Sequence, residues 1–127
     1  MPFDWNNFLI LAKELATKTD EASHRTAISR AYYCVFNLAS ARAESKVGPR
    51  PIDAPSHQWC WDQYLGTFNL ACRQLGNTGD RMKRLRVRAD YRAADIFRLD
   101  DEVRRILEDA RQFLTDLVAL DARYPRP

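Results

Sequence analysis

Histidine is nearly missing from this chain. There are two, His24 and His57, and none after residue 57. That scarcity excludes an H-E-x-x-H centre. The three cysteines, Cys34, Cys60 and Cys72, are odd in number and form no C-x-x-C pair. With the two histidines they do not complete a four-ligand zinc pattern, so they read as buried free thiols behaving as small hydrophobes. His57, one turn ahead of Trp61, reads as a helix-start or packing histidine. Glycine is also scarce, with 4 residues, none in a phosphate-cradling loop, and isolated serines lack any nucleophile-elbow context. Strands with period-two alternation are absent, which points to an all-helical chain. No apolar run approaches the roughly 20 residues that a bilayer span needs. The opening MPFDWNNFLILAKEL carries Asp4 and no basic region before its apolar part, so it reads as an amphipathic helix and not as a signal peptide. The expectation is a cytoplasmic protein with no membrane partner, no metal and no cofactor.

What is present is helical periodicity. At 127 residues the chain fits a single domain spanning residues 1–127. A first helix is expected from about Asp4 to Lys18, with Phe8, Leu9, Leu11, Ala12 and Leu15 as its apolar face. A second runs from about Glu21 to Glu44 after a Thr19-Asp20 cap. The clearest loop is SKVGPRPIDAPS, Ser45 to Ser56. Ser56 is placed to cap a third helix through roughly Leu75, bent at Gly66. GNTGD, Gly76 to Asp80, reads as a turn, and a fourth helix follows to about Tyr91. A fifth starts at Asp100 or Asp101, with Val103, Ile106, Leu107, Ala110, Phe113, Leu114, Leu117 and Leu120 at helical spacing. The ARYPRP tail ends it. The two longest helices are able to pair antiparallel, and five helices suggest a bundle.

The formal net charge is only +3, but it is unevenly placed. Residues 80–92 hold six basic and two acidic side chains, whereas residues 93–127 hold six basic and eight acidic ones. Wound at about 100° per residue, the basic helix puts Met82, Leu85 and Ala89 on a core stripe. Arg86 lies at the edge of that stripe, with Asp90 at i+4, where a side-chain pair forms. A guanidinium held partly inside needs an acceptor. Arg81, Arg84, Arg88 and Arg92 occupy a neighbouring arc, facing solvent or a partner. In the second helix Ile28, Ala31, Val35, Leu38 and Ala39 form the core stripe. Thr26, Arg30, Tyr33 and Asn37 share another face, a cation, a phenol and an amide suited to a polar pocket or interface. Small Ala27, Ser29 and Ala31 allow close helix approach. A bland alternative is that the arginines pair with nearby acids while the tyrosines fill core with their hydroxyls at the rim.

RTAISRAYYCVF, followed about fifty residues later by LRVRADY, resembles the HEPN superfamily, the higher eukaryote and prokaryote nucleotide-binding domains. The likeness is to its small bacterial members, with an S-R-A-Y-Y helix (Ser29 to Tyr33) and a later R-x-x-A-D-Y element (Arg86 to Tyr91), and it extends from about Glu21 to Leu120. The resemblance implies a four- to five-helix up-and-down bundle that forms a homodimer. In many relatives an R-x(4-6)-H motif from each protomer meets across the dimer cleft and cuts RNA without metal. The ribose 2′-hydroxyl attacks, histidine moves protons and arginine stabilises the phosphate. Relatives serve as toxins beside nucleotidyltransferase-like antitoxins, in anti-phage defence systems, or as accessory modules.

Here no histidine follows Arg84 or Arg86, and the position it would occupy falls near Asp90 or Tyr91. Three readings stay open. The first is a module binding RNA or a nucleotide-containing partner through a basic cleft. Arg86, Asp90, Tyr91, Arg30 and Tyr33 line that cleft, and Arg84 and Arg88 contact phosphates. The second is a metal-independent ribonuclease with a divergent site, in which Arg86 stabilises the phosphate while His24 or Tyr91 handles protons. The third is a structural interaction module in which Arg86 and Asp90 form a buried pair.

Overall fold

A computed structural model describes residues 2–94 and 98–123. It contains five helices: α1 (Asn6–Ala16), α2 (Glu21–Val47), α3 (Ser56–Leu65), α4 (Leu70–Tyr91) and α5 (Leu99–Arg123). No strand occurs among the described residues, and no helix there is long and apolar enough to cross a membrane.

The bundle is organised around α2, which touches all four other helices. Its start is fixed by Asp20, whose carboxylate accepts from the Ser23 N–H at 2.9 Å, satisfying one of the donors a helix start leaves open. Its middle is buried on nearly every side: Ala27, Ile28, Ala31, Tyr32, Cys34, Val35, Phe36 and Ala39 are all in the core. At its far end the buried Arg42 pairs with Asp121 of α5 at 2.5 Å, which brings the C-terminal ends of α2 and α5 together. The two longest helices therefore run in the same sense, not antiparallel. The antiparallel partner of each is α4, which passes its C-terminal end to the start of α2 and pairs Arg81 with Asp109 of α5 at 3.1 Å.

The chain does not alternate strictly up and down. Trp61 and His57 meet Tyr32, and the Tyr64 hydroxyl donates to the Ala39 carbonyl at 2.7 Å, so α3 advances along α2 in the direction of α2 itself. The chain must first come back along α2. From Phe36 to Val47 is about 16 Å of helix, and segment 48–55, whose stretched limit is about 26 Å, covers that return even with a turn closed by the Ala54 N–H on the Pro51 carbonyl. Gly48, at φ 103°, starts the return in a conformation that other residues avoid.

The expected turn at Gly76 to Asp80 is instead the interior of α4, and the helix break lies earlier, over residues 66–69. Asn69 caps α4 by accepting from the Cys72 N–H at 3.0 Å. Gly76 and Gly79 are present because α3 lies against the bare backbone of α4. A Cβ on Gly76 would stand 2.9 Å from Leu65 Cγ, and one on Gly79 would fall 2.5 Å from Cε3 of Trp61 and nearer still to its ring edge. Close helix packing, not a turn, accounts for both glycines. The N-cap of α3 is Pro55, which supplies no side-chain cap, so Ser56 is the first helical residue and not the cap.

In α5, Val103, Ile106, Ala110, Phe113, Leu117 and Leu120 are buried as their spacing predicts, and Asp100, Asp101 and Glu102 occupy its first turn, where the helix dipole favours acids. Ala122 and Arg123 continue that helix; Tyr124 to Pro127 of the expected tail lie outside the described residues. Leu11, expected on the apolar face of α1, is exposed, while Leu9 and Ala12 are buried.

Candidate functional site

The first turns of α2 meet the last turn of α4, and a single side chain fixes the junction. Arg25 donates from Nη1 to the carbonyls of Ala89 (2.9 Å), Arg92 (3.0 Å) and Arg88 (3.3 Å), and from Nη2 to that of Ala93 (3.0 Å). Its Nε pairs with Glu21 at 3.2 Å. The last carbonyls of a helix lack intrahelical partners and carry partial negative charge, so one guanidinium answers both deficits. Arg25→Ala is expected to cost about 2 kcal/mol, the worth of charge-assisted hydrogen bonds in a partly exposed setting. Arg25→Lys should recover little of it, because an ammonium cannot fork across several carbonyls. Thermal melts, with hydrogen exchange of the amides at 88–94, check this.

That junction places Arg86, Asp90 and Ser29 side by side. Arg86 is buried, its side chain 9% exposed. Its Nη1 donates to Asp90 Oδ2 at a long 3.5 Å, while Nε has no hydrogen-bond partner and is the sole buried side-chain nitrogen or oxygen in that condition among the described residues. Three phenol rings stand around its guanidinium: the Cζ atom is 5.3 Å from the ring centre of Tyr33, 5.6 Å from Tyr32 and 5.9 Å from Tyr91. Asp90 Oδ2 also accepts from the Ser29 hydroxyl at 3.3 Å, and Ser29 Oγ in turn accepts from Arg30 at 3.2 Å. Arg30 lies over the rings of Phe8 (4.6 Å) and Tyr33 (5.0 Å). Two guanidiniums thus share one tyrosine, with a single carboxylate between them.

Of the residues expected at the site, Arg86, Asp90, Tyr91, Arg30 and Tyr33 come together. Arg84 and Arg88 do not join them. They lie about 200° around α4 from Arg86, where with Arg81 and Arg105 they line a separate groove of about 450 Å³ floored by Met82, Leu85 and Ile106. Arg84 is engaged there by Asp80 at 2.5 Å. His24 stands at the turn between α1 and α2, its Nε2 hydrogen-bonded to the Lys18 carbonyl at 2.6 Å, and is not among the side chains around Arg86.

Sequence reading did not assign His57, Tyr32 or Arg25 to the site. The Trp61 Nε1–H donates to the Tyr32 oxygen at 3.1 Å, and the Tyr32 hydroxyl lies 2.7 Å from His57 Nδ1. The Tyr32 oxygen accepts the indole hydrogen bond, and Nδ1 of His57 is its other hydrogen-bond partner among the described residues, so pairing the buried phenol hydrogen assigns it to Nδ1 and leaves the imidazole hydrogen on Nε2. The ring stacks on Phe36 at 4.1 Å and meets the Tyr33 ring edge-on at 5.8 Å. Burial, reinforced by Arg86 and then Lys83, pushes the His57 pKa down to about 4. An unfolded histidine titrates near 6.5, so between these values the unfolded chain binds the extra proton. Stability should hold above about pH 6.5 and fall as pH drops toward 4. Urea titrations across that window, compared with His57→Phe, should show the slope lessen in the variant.

The thiols offer no nucleophile at neutral pH: burial raises Cys34 to about 11 and Cys60 to about 12. No cluster of three or more metal-ligating side chains occurs among the described residues. What the site offers is a set of donors and cations beside phenol rings, with one carboxylate, which suits holding an anion more than moving protons. Compared with protein-family models, with curated proteins and with solved structures, the chain matches none of them.

Proposed function

We propose that this chain is a HEPN-type helical module that binds a phosphate group of RNA, or of a nucleotide-containing partner, at Arg86. The observation that carries the reading is the state of Arg86: a buried guanidinium with one acceptor at 3.5 Å and an Nε without any. Burying a cation in that condition is costly, and the deficit is of the kind that a phosphate oxygen corrects. Arg30 and the Tyr33 and Tyr91 rings flank the same place. The exposed Tyr91, at 72%, offers a face for base stacking. The wider assignment rests on the resemblance of Ser29–Tyr33 and Arg86–Tyr91 to the family. It comprises a cytoplasmic homodimer, with a cognate antitoxin or defence-system protein as partner.

The test is binding of labelled single-stranded RNA by wild type and Arg86→Met at matched folded concentration. With about two phosphates neutralised by Arg86 and Arg30, affinity should fall roughly five- to tenfold between 50 and 200 mM salt, and the variant should bind at least about tenfold more weakly. Salt-insensitive binding, or none, sinks the reading. The same incubation scores cleavage: a product formed by wild type alone would make the module a metal-independent ribonuclease.

A further inference from the structure

We propose that His57 is a second phosphate-binding donor, acting through Nε2–H from the first turn of α3 on the same anion that Arg86 takes. This rests on reading the surroundings of Arg86 as a phosphate site, and it adds a residue from a different helix, with a fixed chemical role.

The hydrogen-bond chain from Trp61 through Tyr32 to His57 pairs every hydrogen when it runs in one direction. An indole N–H can only donate, so the Tyr32 oxygen accepts there, and donation to Nδ1 is the arrangement that leaves the buried phenol hydrogen paired. Nδ1 is therefore committed as an acceptor and Nε2 as a donor. A neutral imidazole so held cannot serve as a base at Nε2, because that nitrogen already bears hydrogen. It is a directed N–H group. That donor is open: no hydrogen bond is made at Nε2, yet the atom is not among the buried polar atoms without a partner, so it reaches solvent.

The surroundings favour an acceptor of negative charge. The charges that act on the ring are those of Arg86 and Lys83 from α4, and Tyr32 and Tyr33 from α2 pack against it. Both cations come from α4, and no carboxylate stands among these neighbours. His57 and Arg86 are also tied to the same two rings, since Arg86 lies 5.6 and 5.3 Å from the centres of Tyr32 and Tyr33 and the imidazole lies 5.6 and 5.8 Å from them. Finally, α3 begins at Ser56 without a side-chain cap, so its first-turn N–H groups add positive potential where His57 projects. The ligand class is a phosphate monoester or diester oxygen. Arg86 would exchange its long contact with Asp90 for that oxygen, and Nε2–H would supply the second hydrogen bond.

The experiment uses the full chain, with inorganic phosphate and a 5′-phosphorylated single-stranded RNA as probes. Titration calorimetry compares wild type, His57→Phe, which keeps the stack on Phe36 and removes the donor, and His57→Gln, which restores an N–H at similar reach. The expected result is at least a tenfold loss in His57→Phe with substantial recovery in His57→Gln. Nitrogen-15 spectra of the wild type, which need no variant, should show the Nε2–H tautomer in the free protein and a shifted Nε2–H resonance with phosphate bound. The imidazole should also titrate at higher pH in the complex, because the anion offsets Arg86 and Lys83. If His57→Phe binds both probes as well as wild type while Arg86→Met does not, the Arg86 site stands and the role of His57 is overturned. An unchanged Nε2–H resonance in the complex overturns it equally. If wild type binds neither probe, both the site and this extension of it fall.

Discussion

Arg86→Met is expected to leave the protein as stable as wild type, or up to about 2 kcal/mol more stable, while removing phosphate binding. Most losses of a buried ion-pair partner do the opposite, costing on the order of 3–5 kcal/mol when the remaining charge is stranded. Here the residue removed is the badly compensated one. Its contact with Asp90 is long, at 3.5 Å, and its Nε goes without a partner, a deficit of about 1–3 kcal/mol for a buried donor. Cation–ring contacts return roughly 0.5–1 kcal/mol when exposed and about 2 when desolvated, but the three phenol centres are 5.3 to 5.9 Å away, toward the far limit of that interaction, which weakens each. Methionine fills similar volume without a charge to desolvate. Asp90 is not stranded, because its side chain is about a quarter exposed and keeps the Ser29 hydroxyl. Urea melts of the two proteins read the stability, and the RNA titration reads the function. A loss above about 3 kcal/mol in Arg86→Met would mean that the pair is a structural contact after all.

Gly79→Val is expected to be among the most destabilising single changes available, at about 3 kcal/mol or more. Replacing a helical glycine ordinarily gains up to about 1 kcal/mol of helix propensity, so the sign here is set wholly by packing. The added Cβ would fall 2.5 Å or less from three atoms of the Trp61 ring, and that ring cannot retreat. It is 2% exposed, meets Phe113 edge-on at 5.9 Å, and is tied through Nε1 to Tyr32. Overpacking a rigid core costs typically 1–3 kcal/mol and sometimes more, and valine adds two methyls beyond the Cβ. Against a total stability of about 5–15 kcal/mol, the variant should melt many degrees lower. If it keeps wild-type stability, α3 and α4 do not approach as closely as described.

These two residues also mark where sequence reading reached and where it stopped. The Arg86–Asp90 relation is a spacing of four on one helix, so it was legible before any fold was known. The stripes of α2 and α5 were legible for the same reason. Gly79 was misread as part of a turn because a glycine kept for a turn and one kept for a close crossing look alike locally. The residue that decides between them, Trp61, lies eighteen positions earlier on another helix. The sense of α2 relative to α5 depended on where α4 would lie, which no periodicity states. Arg25 reads as an ordinary i,i+4 partner of Glu21, and nothing nearby announces that its other donors reach carbonyls more than sixty residues on. His57 was placed correctly as a helix-start residue that packs. Its directed Nε2–H emerges only when Trp61 and Tyr32 are seen to fix the order of donors. Arg84 and Arg88 were read onto a neighbouring arc yet given phosphate contacts in the same cleft as Arg86, although helical rotation sends them to the face opposite it.

The Arg25 junction has a kinetic consequence. The hairpin of α1 and α2 and the hairpin of α3 and α4 each close over short stretches of chain, whereas Arg25 can find its carbonyls only after both have formed and met across sequence separations of 63 to 68 residues. Contacts that distant are made late, since the loop entropy must be met before they contribute. The side chains that gather around Arg86 are therefore expected to assemble late in folding, and the same junction is expected to open early in unfolding. Variants that weaken it should speed unfolding while leaving the refolding rate nearly unchanged. The protein would then spend its brief excursions from the native state with its core intact and the proposed anion site undone.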